Sequence, residues 1–483
     1  MADSLKAKTV RGTIWSGIDS IAGQGITFLV GLVLARLLTP QEYGLIGYIA
    51  IIIAILNSIV DSGFSNALIR KKDAGEIDYD TTFIFNMALS LLMAGVMIVT
   101  AGPVSRFLNE PELVPLIRAM SVIVVINAAA IIQRTTLTKR VDFKTQTKVS
   151  LISSAASGAV GIGMALSGMG VWSLVGQQIS RQLLNTVFLW VFNRWTPAWR
   201  FSWRSFRELF GFGWKLMVSG LLNTVWNEIS QIVIGKCYST ATLGQFTRGK
   251  QFSDIFSTNM TTVIQRVSFP VLSSVQDEQT RLREGYRKII KVTMLLSFVL
   301  MFGLGAVADS LLYVLVGSQW SEAARYLQIL VFSACLYPLH AINLNMLQVA
   351  GRSDLFLKLE IVKKLIAIGP ILLGIFISIE GMLWGWVATG LISYWLNSMF
   401  SGRMIGYGSL AQLRDIAPSF GVAFVMMAAL YALTLTGLPP VALLAVQLLA
   451  GAGIAIGLCE LLRLEEYYEL KNIVLGLVRR RKA

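Results

Sequence analysis

Apolar runs of about 20 residues alternate along the chain with short segments where charge, proline or glycine collect, the pattern of successive membrane-spanning helices. The runs predict spans over 12–36, 43–68, 80–102, 113–134, 149–167, 171–192, 213–236, 244–269, 289–308, 323–349, 357–378, 382–402, 416–436 and 441–462. The first follows Lys6, Lys8 and Arg11, as in a signal peptide, yet runs past Ile26 to Leu34 without a small-x-small cleavage site, so it reads as a retained helix. The eighth carries Gln245, Arg248, Lys250, Gln251, Asp254, Asn259, Gln265 and Arg266, too polar to face lipid all round. A helix there must be shielded by its neighbours and face a wet interior.

The basic residues orient these spans. With the N-terminus inside, even-numbered connections face the cytoplasm, and the Lys and Arg residues collect in 6–11, 70–72, 134–148, 194–215, 266–291, 352–364, 403–414 and 463–482. The exceptions are Arg36, Arg106, Arg118, Arg181, Lys236, Arg248, Lys250 and Arg325. This is the positive-inside pattern, and it predicts that both termini are cytoplasmic. It depends on the polar eighth span, since without that span the basic segments downstream would all lie outside. Two amphipathic stretches are expected on the membrane surface: Trp195, Trp199, Trp203 and Phe206 interleaved with Arg200, Arg204 and Arg207, and the tail from Leu464 with Glu465, Glu466 and Glu469 ahead of the Arg479–Lys482 cluster.

Composition agrees. Of 483 residues, 55% are hydrophobic and 14% charged, with mean hydropathy +0.65, whereas an ordinary soluble domain is about a quarter charged. The net charge of +15 is explained by cytoplasmic loops and calls for no nucleic acid. Cys237, Cys335 and Cys459 are scattered in apolar surroundings and read as packing residues. A shift of 200 positions carries Arg36 onto Lys236 and Gly44 onto Gly244, and a shift of 211 carries Gly170 onto Gly381. The expected fold is therefore an all-α polytopic membrane protein of about 14 transmembrane helices. Two six-helix lobes, 1–205 and 206–407, share one orientation about an axis along the membrane normal with a cleft between them, and 408–483 adds two helices and an amphipathic tail.

Charge at the bilayer centre costs about 2.5–3.5 kcal/mol on insertion scales, so polar groups within spans should border a cavity. Asn223, Asn227 and Gln231 recur every four residues on span seven with Glu228 beside them. Asn57 and Asp61 share a face of span two, His340 and Asn343 of span ten, and Lys250 stands one turn from Asp254 on span eight. Each has a plainer reading. Asp61, before Ser62 and Gly63, can hydrogen-bond a helix break; His340 can be a satisfied interior residue; Lys250 and Asp254 can be a structural ion pair; Arg36 can snorkel to headgroups. Counted together, Arg36, Arg181, Lys236, Arg248 and Lys250 outnumber Asp61, Glu228 and Asp254, a surplus that suits an anionic ligand such as a diphosphate. No phosphate-binding loop, HExxH, paired Cys/His ligands or GxSxG is present, so neither an ATPase nor a metal hydrolase is indicated.

The run 35–44, ARLLTPQEYG, followed by Asp61-Ser62-Gly63-Phe64 and Ala67-Leu68-Ile69-Arg70, resembles the opening of polysaccharide flippases of the MOP superfamily. Gly170-Val171-Trp172-Ser173-Leu174-Val175, the run 243–251 (LGQFTRGKQ) and Phe269-Pro270-Val271-Leu272-Ser273 match further motifs, with Phe246 in place of the usual Tyr and Gly249 in place of the usual Ala. The resemblance covers about 10–400 and is greatest to Wzx/WzxC-like exporters. It implies a two-lobed bacterial inner-membrane transporter, not an enzyme, that moves undecaprenyl-diphosphate-linked oligosaccharide to the periplasmic leaflet by alternating access. Polysaccharide polymerase and glycosyltransferases are the expected partners. The substrate-contact set is then Arg36, Arg181, Asn223, Asn227, Glu228, Gln231, Lys236, Arg248 and Lys250, with Arg248 best carried over by motif. Asp61, Asp254 and His340 are candidates for coupling or gating. No cofactor or metal is implied, and Na+ or H+ coupling stays open. The rivals are a lipid II flippase, a MATE-like drug or cation antiporter, a non-transporting scaffold and a polysaccharide ligase.

Overall fold

In the computed structural model, described over residues 22–61, 63–193 and 195–480, every sequence-predicted span coincides with a helix or a broken pair of helices, and no strand occurs among the described residues. Lys6, Lys8, Arg11, the start of the first span, Ser62, Arg194, Arg481 and Lys482 lie outside the described residues. The chain divides into two compact units, Met1–Gly244 and Gln245–Ala483.

The first unit holds α1 (Gln24–Leu37), α2 (Pro40–Asp61), α3 (Phe64–Arg70), α4 (Glu76–Leu108), α5 (Leu113–Met120), α6 (Val122–Lys139), α7 (Phe143–Leu166), α8 (Trp172–Phe192) and α9 (Trp203–Cys237). Local chemistry sets their ends. Thr39 and Glu42 form a reciprocal cap at the start of α2, the Asp142 carboxylate accepts from the Thr145 amide at 3.1 Å to start α7, and Ser202 caps α9. Between α2 and α3 the chain turns at Gly63, φ +70°, where a Cβ would strike the Gly213 carbonyl of α9. The core beside this break is aromatic: Phe64, Leu68, Phe83, Ile132 and Leu209 are buried, with Trp190, Trp195, Phe206 and Phe210 packed around them.

α10 (Thr240–Ser274) begins in the first unit and continues into the second. The second unit adds α11 (Gln279–Ala306), α12 (Ala308–Val316), α13 (Ser321–Ala334), α14 (Tyr337–Val349), α15 (Ser353–Ile366), α16 (Ile368–Phe376), α17 (Ile379–Ile405), α18 (Ser409–Ala432), α19 (Pro440–Leu461) and the tail helix α20 (Glu465–Arg480). Among the described residues, eight helical segments are long and apolar enough to cross a membrane: 40–70, 76–108, 113–139, 143–166, 279–306, 318–349, 409–436 and 440–461.

The compact units divide after Gly244, and α9 packs against α2, α3 and α4: Tyr48 donates to the Gly235 carbonyl at 2.6 Å, and Gly220 lies beside Ser58. Within the second unit, α18 packs along α11. The stretch 195–202 is not helical, and its Trp199 is exposed. It is irregular backbone strapped to the start of α4, where the buried Asp80 accepts from the Ala198 amide at 3.0 Å and from Arg200 Nε at 3.2 Å, while Trp195 packs edge-on to Phe83. The tail is the helix expected of it, held to α11 by Lys288–Glu469 at 2.6 Å and Lys291–Glu465 at 3.0 Å. Cys335 and Cys459 are buried as expected, but Cys237, ending α9, is exposed.

The faint internal repeat acquires a geometry. A Cβ on Gly44 would collide with the Thr240 carbonyl, and one on Gly244 with the Pro40 carbonyl. Because the shift of 200 turns Pro40 into Thr240 and Gly44 into Gly244, these two contacts are one contact seen from either side of a local two-fold. The corners match in their caps too: the Glu42 amide meets Thr39 Oγ1 at 3.4 Å, and the Thr242 amide meets Ser239 Oγ at 3.1 Å.

Candidate functional site

The charged group of the first unit is assembled where α2, α6 and α8 bring polar residues together within apolar helices. Asp61 ends α2 and accepts a hydrogen bond from Ser65 in the first turn of α3, so it does hold the helix break. It also faces a cation. Arg134 of α6 lies close enough for its charge to interact with Asp61, and its Nη2 donates to Asn185 Oδ1 of α8 at 3.5 Å. Arg134 itself is exposed at the surface of the unit. One turn before Asp61, the buried Asn57 Oδ1 has no hydrogen-bond partner among the described residues. A guanidinium, an amide and a carboxylate thus meet at this place, an arrangement that can hold an oxyanion on Arg134.

Arg134 was not among the expected site residues, because Lys139 and Arg140 follow it and the group reads as loop charge. The available signal was its place inside α6, in register with the apolar run and more than a helical turn short of the loop.

The expected residues fall in separate places. On α9, Glu228 accepts from Gln231 one turn on, while Asn223 and Asn227 stand exposed on the same helix. Arg181 is exposed on α8. Arg36 is exposed at the end of α1, and its repeat partner Lys236 is exposed at the end of α9, where the ammonium donates to the Phe107 carbonyl and lies over the Phe107 ring. Beside it Thr240 donates to the Glu110 carboxylate, so the Lys236 region ties a helix corner to the end of α4.

In the second unit, Lys250 and Asp254 form the anticipated ion pair at 2.5 Å, with 36% and 37% of their side chains exposed. Arg248 is different: 3% exposed, it lies over the fully buried Trp320 ring at 5.2 Å and donates to Gln251 Oε1 at 2.7 Å. The same junction is closed by Gln245, which donates to the Gln319 carbonyl at 2.6 Å and accepts from the Ala323 amide at 3.0 Å. The two departures from the family motif belong to this packing. Phe246 is buried edge-on to Trp386, and a Cβ on Gly249 would lie 2.7 Å from the Ala323 carbonyl.

His340 is half-buried with Nδ1 3.5 Å from Asn397 Nδ2. One turn on, Asn343 is the hub of a buried network: its Oδ1 accepts from Tyr286 at 2.8 Å, Ser401 at 2.6 Å and Gln412 at 3.2 Å. This network spans α11, α14, α17 and α18 and fixes them. Sequence patterning placed Asn343 on an inward face but gave no sign of its partners.

Comparisons with known proteins fit this architecture. The chain is 27% identical over 334 residues to the succinoglycan biosynthesis transport protein ExoT of Rhizobium meliloti, covering 69% of this chain and 68% of that protein. It is 24% identical to the lipopolysaccharide biosynthesis protein WzxC of Escherichia coli, covering 77% and 76%, and 26% identical to the teichuronic acid biosynthesis protein TuaB of Bacillus subtilis, covering 73% of each. Among solved structures, the lipid II flippase MurJ in an inward closed conformation aligns with a TM-score of 0.70 at 13% identity, covering 95% of this chain and 99% of MurJ. An inward-facing multidrug resistance MATE transporter of the MOP superfamily aligns with a TM-score of 0.61 at 15% identity, covering 80% and 98%. A family model described as polysaccharide biosynthesis protein matches residues 33–325, so the chain belongs to that family and has the fold of MOP-superfamily membrane transporters.

Proposed function

We propose that this protein is a flippase that carries undecaprenyl-diphosphate-linked oligosaccharide from the cytoplasmic to the outer leaflet of a bacterial inner membrane by alternating access, supplying polysaccharide assembly. The observation that carries the reading is Arg134, an exposed cation within α6 whose charge interacts with Asp61 and whose guanidinium donates to Asn185. A cation so placed persists only where water or an anionic ligand reaches it. The names of the relatives, for succinoglycan, lipopolysaccharide and teichuronic acid, support a glycan cargo.

Arg134 and Asn185 then contact the diphosphate and nearby sugar, with Arg181 and the exposed Asn223 and Asn227 as further contacts in the same unit. Lys250, half-exposed beside Asp254, is a second anion contact in the other unit. Arg248, buried against Trp320, positions α10 in this conformation. Asp61 couples transport to a cation or a proton by balancing Arg134. Orientation follows the basic connections, with both termini cytoplasmic.

The test is export of a defined glycan in a host whose own flippase is deleted. Arg134→Ala should cut export roughly ten- to hundredfold at normal protein levels, the loss of one charge-assisted hydrogen-bonding group worth about 1.5–3 kcal/mol, with lipid-linked sugars accumulating inside. Full export by that variant would remove Arg134 from the substrate path. Drug efflux without any change in lipid-linked sugar would overturn the transport class and favour the antiporter reading.

A further inference from the structure

Away from these residues, one end of the second unit carries a cavity of about 550 Å³ lined by Thr280, Arg283, Glu284 and Arg287 of α11, Tyr407, and Ala411, Arg414 and Asp415 of α18. That volume is in the range of small-ligand sites. Its charges have unequal fates. Arg287 grips Asp415 through two parallel hydrogen bonds of 2.6 and 2.7 Å, and Tyr407 donates to the same carboxylate at 2.6 Å. With three donors on it, Asp415 is neutralised as a source of repulsion. Arg283 and Arg414 have no carboxylate partner among the described residues, and Glu284 is the acid left on the rim.

The floor is rigid. The turn into α18 passes through Gly406 at φ +67°, and Gly402 leaves no room for a Cβ against the Tyr407 carbonyl. Gln412 of the buried Asn343 network donates to that carbonyl at 3.3 Å, and the Tyr407 ring packs edge-on to Tyr286. Arg283 and Arg414 therefore stand exposed beside a preorganised polar floor near the starts of two apolar helices, where a membrane has its headgroups. Farther into α18 than Arg414, the exposed Phe420 and Phe424 form a stacked aromatic pair, with Phe424 about 15 Å along the axis from Arg414. This is the complement of an acyl chain, which a soluble anion would not use.

We propose that this cavity binds the phosphate headgroup of an anionic membrane phospholipid, with Arg283 and Arg414 on the phosphate and the acyl chains along α18. The site is separate from the residues assigned to cargo, so the two readings fail independently. Native mass spectrometry of the purified full chain, titrated with phosphatidylglycerol or phosphatidylcholine, reads it directly. The wild type should take up phosphatidylglycerol about tenfold more tightly than phosphatidylcholine, and the double variant Arg283→Ala/Arg414→Ala should lose that preference while still exporting glycan. Should the alanine pair not fold, Arg283→Gln alone, at an exposed position, should show a smaller loss of the same kind. Equal uptake of the two lipids by the wild type, or an unchanged preference in the variants, overturns the proposal. Displacement of phosphatidylglycerol by millimolar inorganic phosphate overturns the lipid assignment in favour of a free-anion site.

Discussion

The reciprocal glycine contact gives the most demanding test of the structure. Substituting Gly44 by Ala places a methyl group against the Thr240 carbonyl, and substituting Gly244 places one against the Pro40 carbonyl. Both obstacles are backbone atoms at helix starts, fixed by the Thr39–Glu42 and Ser239–Thr242 caps, so neither can yield by a change of rotamer. Overpacking of this kind costs about 1–3 kcal/mol. The two substitutions must also be coupled, because they wedge the same pair of corners apart. Once Gly44→Ala has opened the junction, Gly244→Ala has less left to strain, and the double variant should cost about as much as the worse single variant rather than the sum. Unfolding free energies of the four proteins, measured by titration with a denaturing detergent, complete the cycle. The same junction can be read in the native state by the accessibility of Cys237, which ends α9 three residues before Thr240 and should react faster with a maleimide in either variant. Two neutral single substitutions, or fully additive ones, would show that the corners do not meet as described.

Other consequences are quicker to check. Asp80→Ala removes the acceptor for the Ala198 amide and Arg200 Nε, and should loosen the 195–202 strap at a cost of about 1–3 kcal/mol, seen as faster tryptic cleavage at Arg200 or Arg204. Asp61→Asn removes the charge facing Arg134 and should impair transport more than it impairs folding, whereas Ser65→Ala, which removes only the hydrogen bond at the break, should leave transport near normal; equal losses would make Asp61 purely structural. The tail helix α20 should respond to acid. The Lys291 ammonium, by hydrogen bond and charge, holds Glu465 below its ordinary value of 4.5, so the contribution of this pair is present above pH 4.5 and is lost as pH falls through the lower folded value. Protease sensitivity of α20 should rise over that interval, and molar salt should weaken the same contact at neutral pH because Glu465 is exposed. A tail equally protected at pH 3 and pH 7 would locate its attachment elsewhere.

What could be read from the sequence divides along a physical line. Helix positions were legible because lipid imposes length and hydropathy on each apolar run separately, and the polar stretch 244–269, which is not among the eight segments apolar enough to span, is nevertheless helical within α10. Tertiary partners were not legible, because a motif states which residues occur together and not which side of the helix meets solvent. Arg248 sits in a family motif and is buried against Trp320, whereas Arg134, in no motif, is exposed beside Asp61 and Asn185. The two are equally plain in sequence, and only the packing of their neighbours separates them. The tryptophans of 195–203 show the same limit. Alternating Trp and Arg suits a membrane surface, and Trp199 and Trp203 are exposed, but nothing in that pattern announces Asp80, over a hundred residues earlier, whose buried carboxylate captures the backbone and Arg200 together. Gly44 and Gly244 lie between these cases. Their equivalence is written in the numbering, but its meaning is steric, because two helix starts that meet about a local two-fold need the same smallest residue at the same place on each. A repeat too faint to follow elsewhere is retained where the backbones touch, and the junction is therefore the point at which sequence symmetry and physical symmetry must agree.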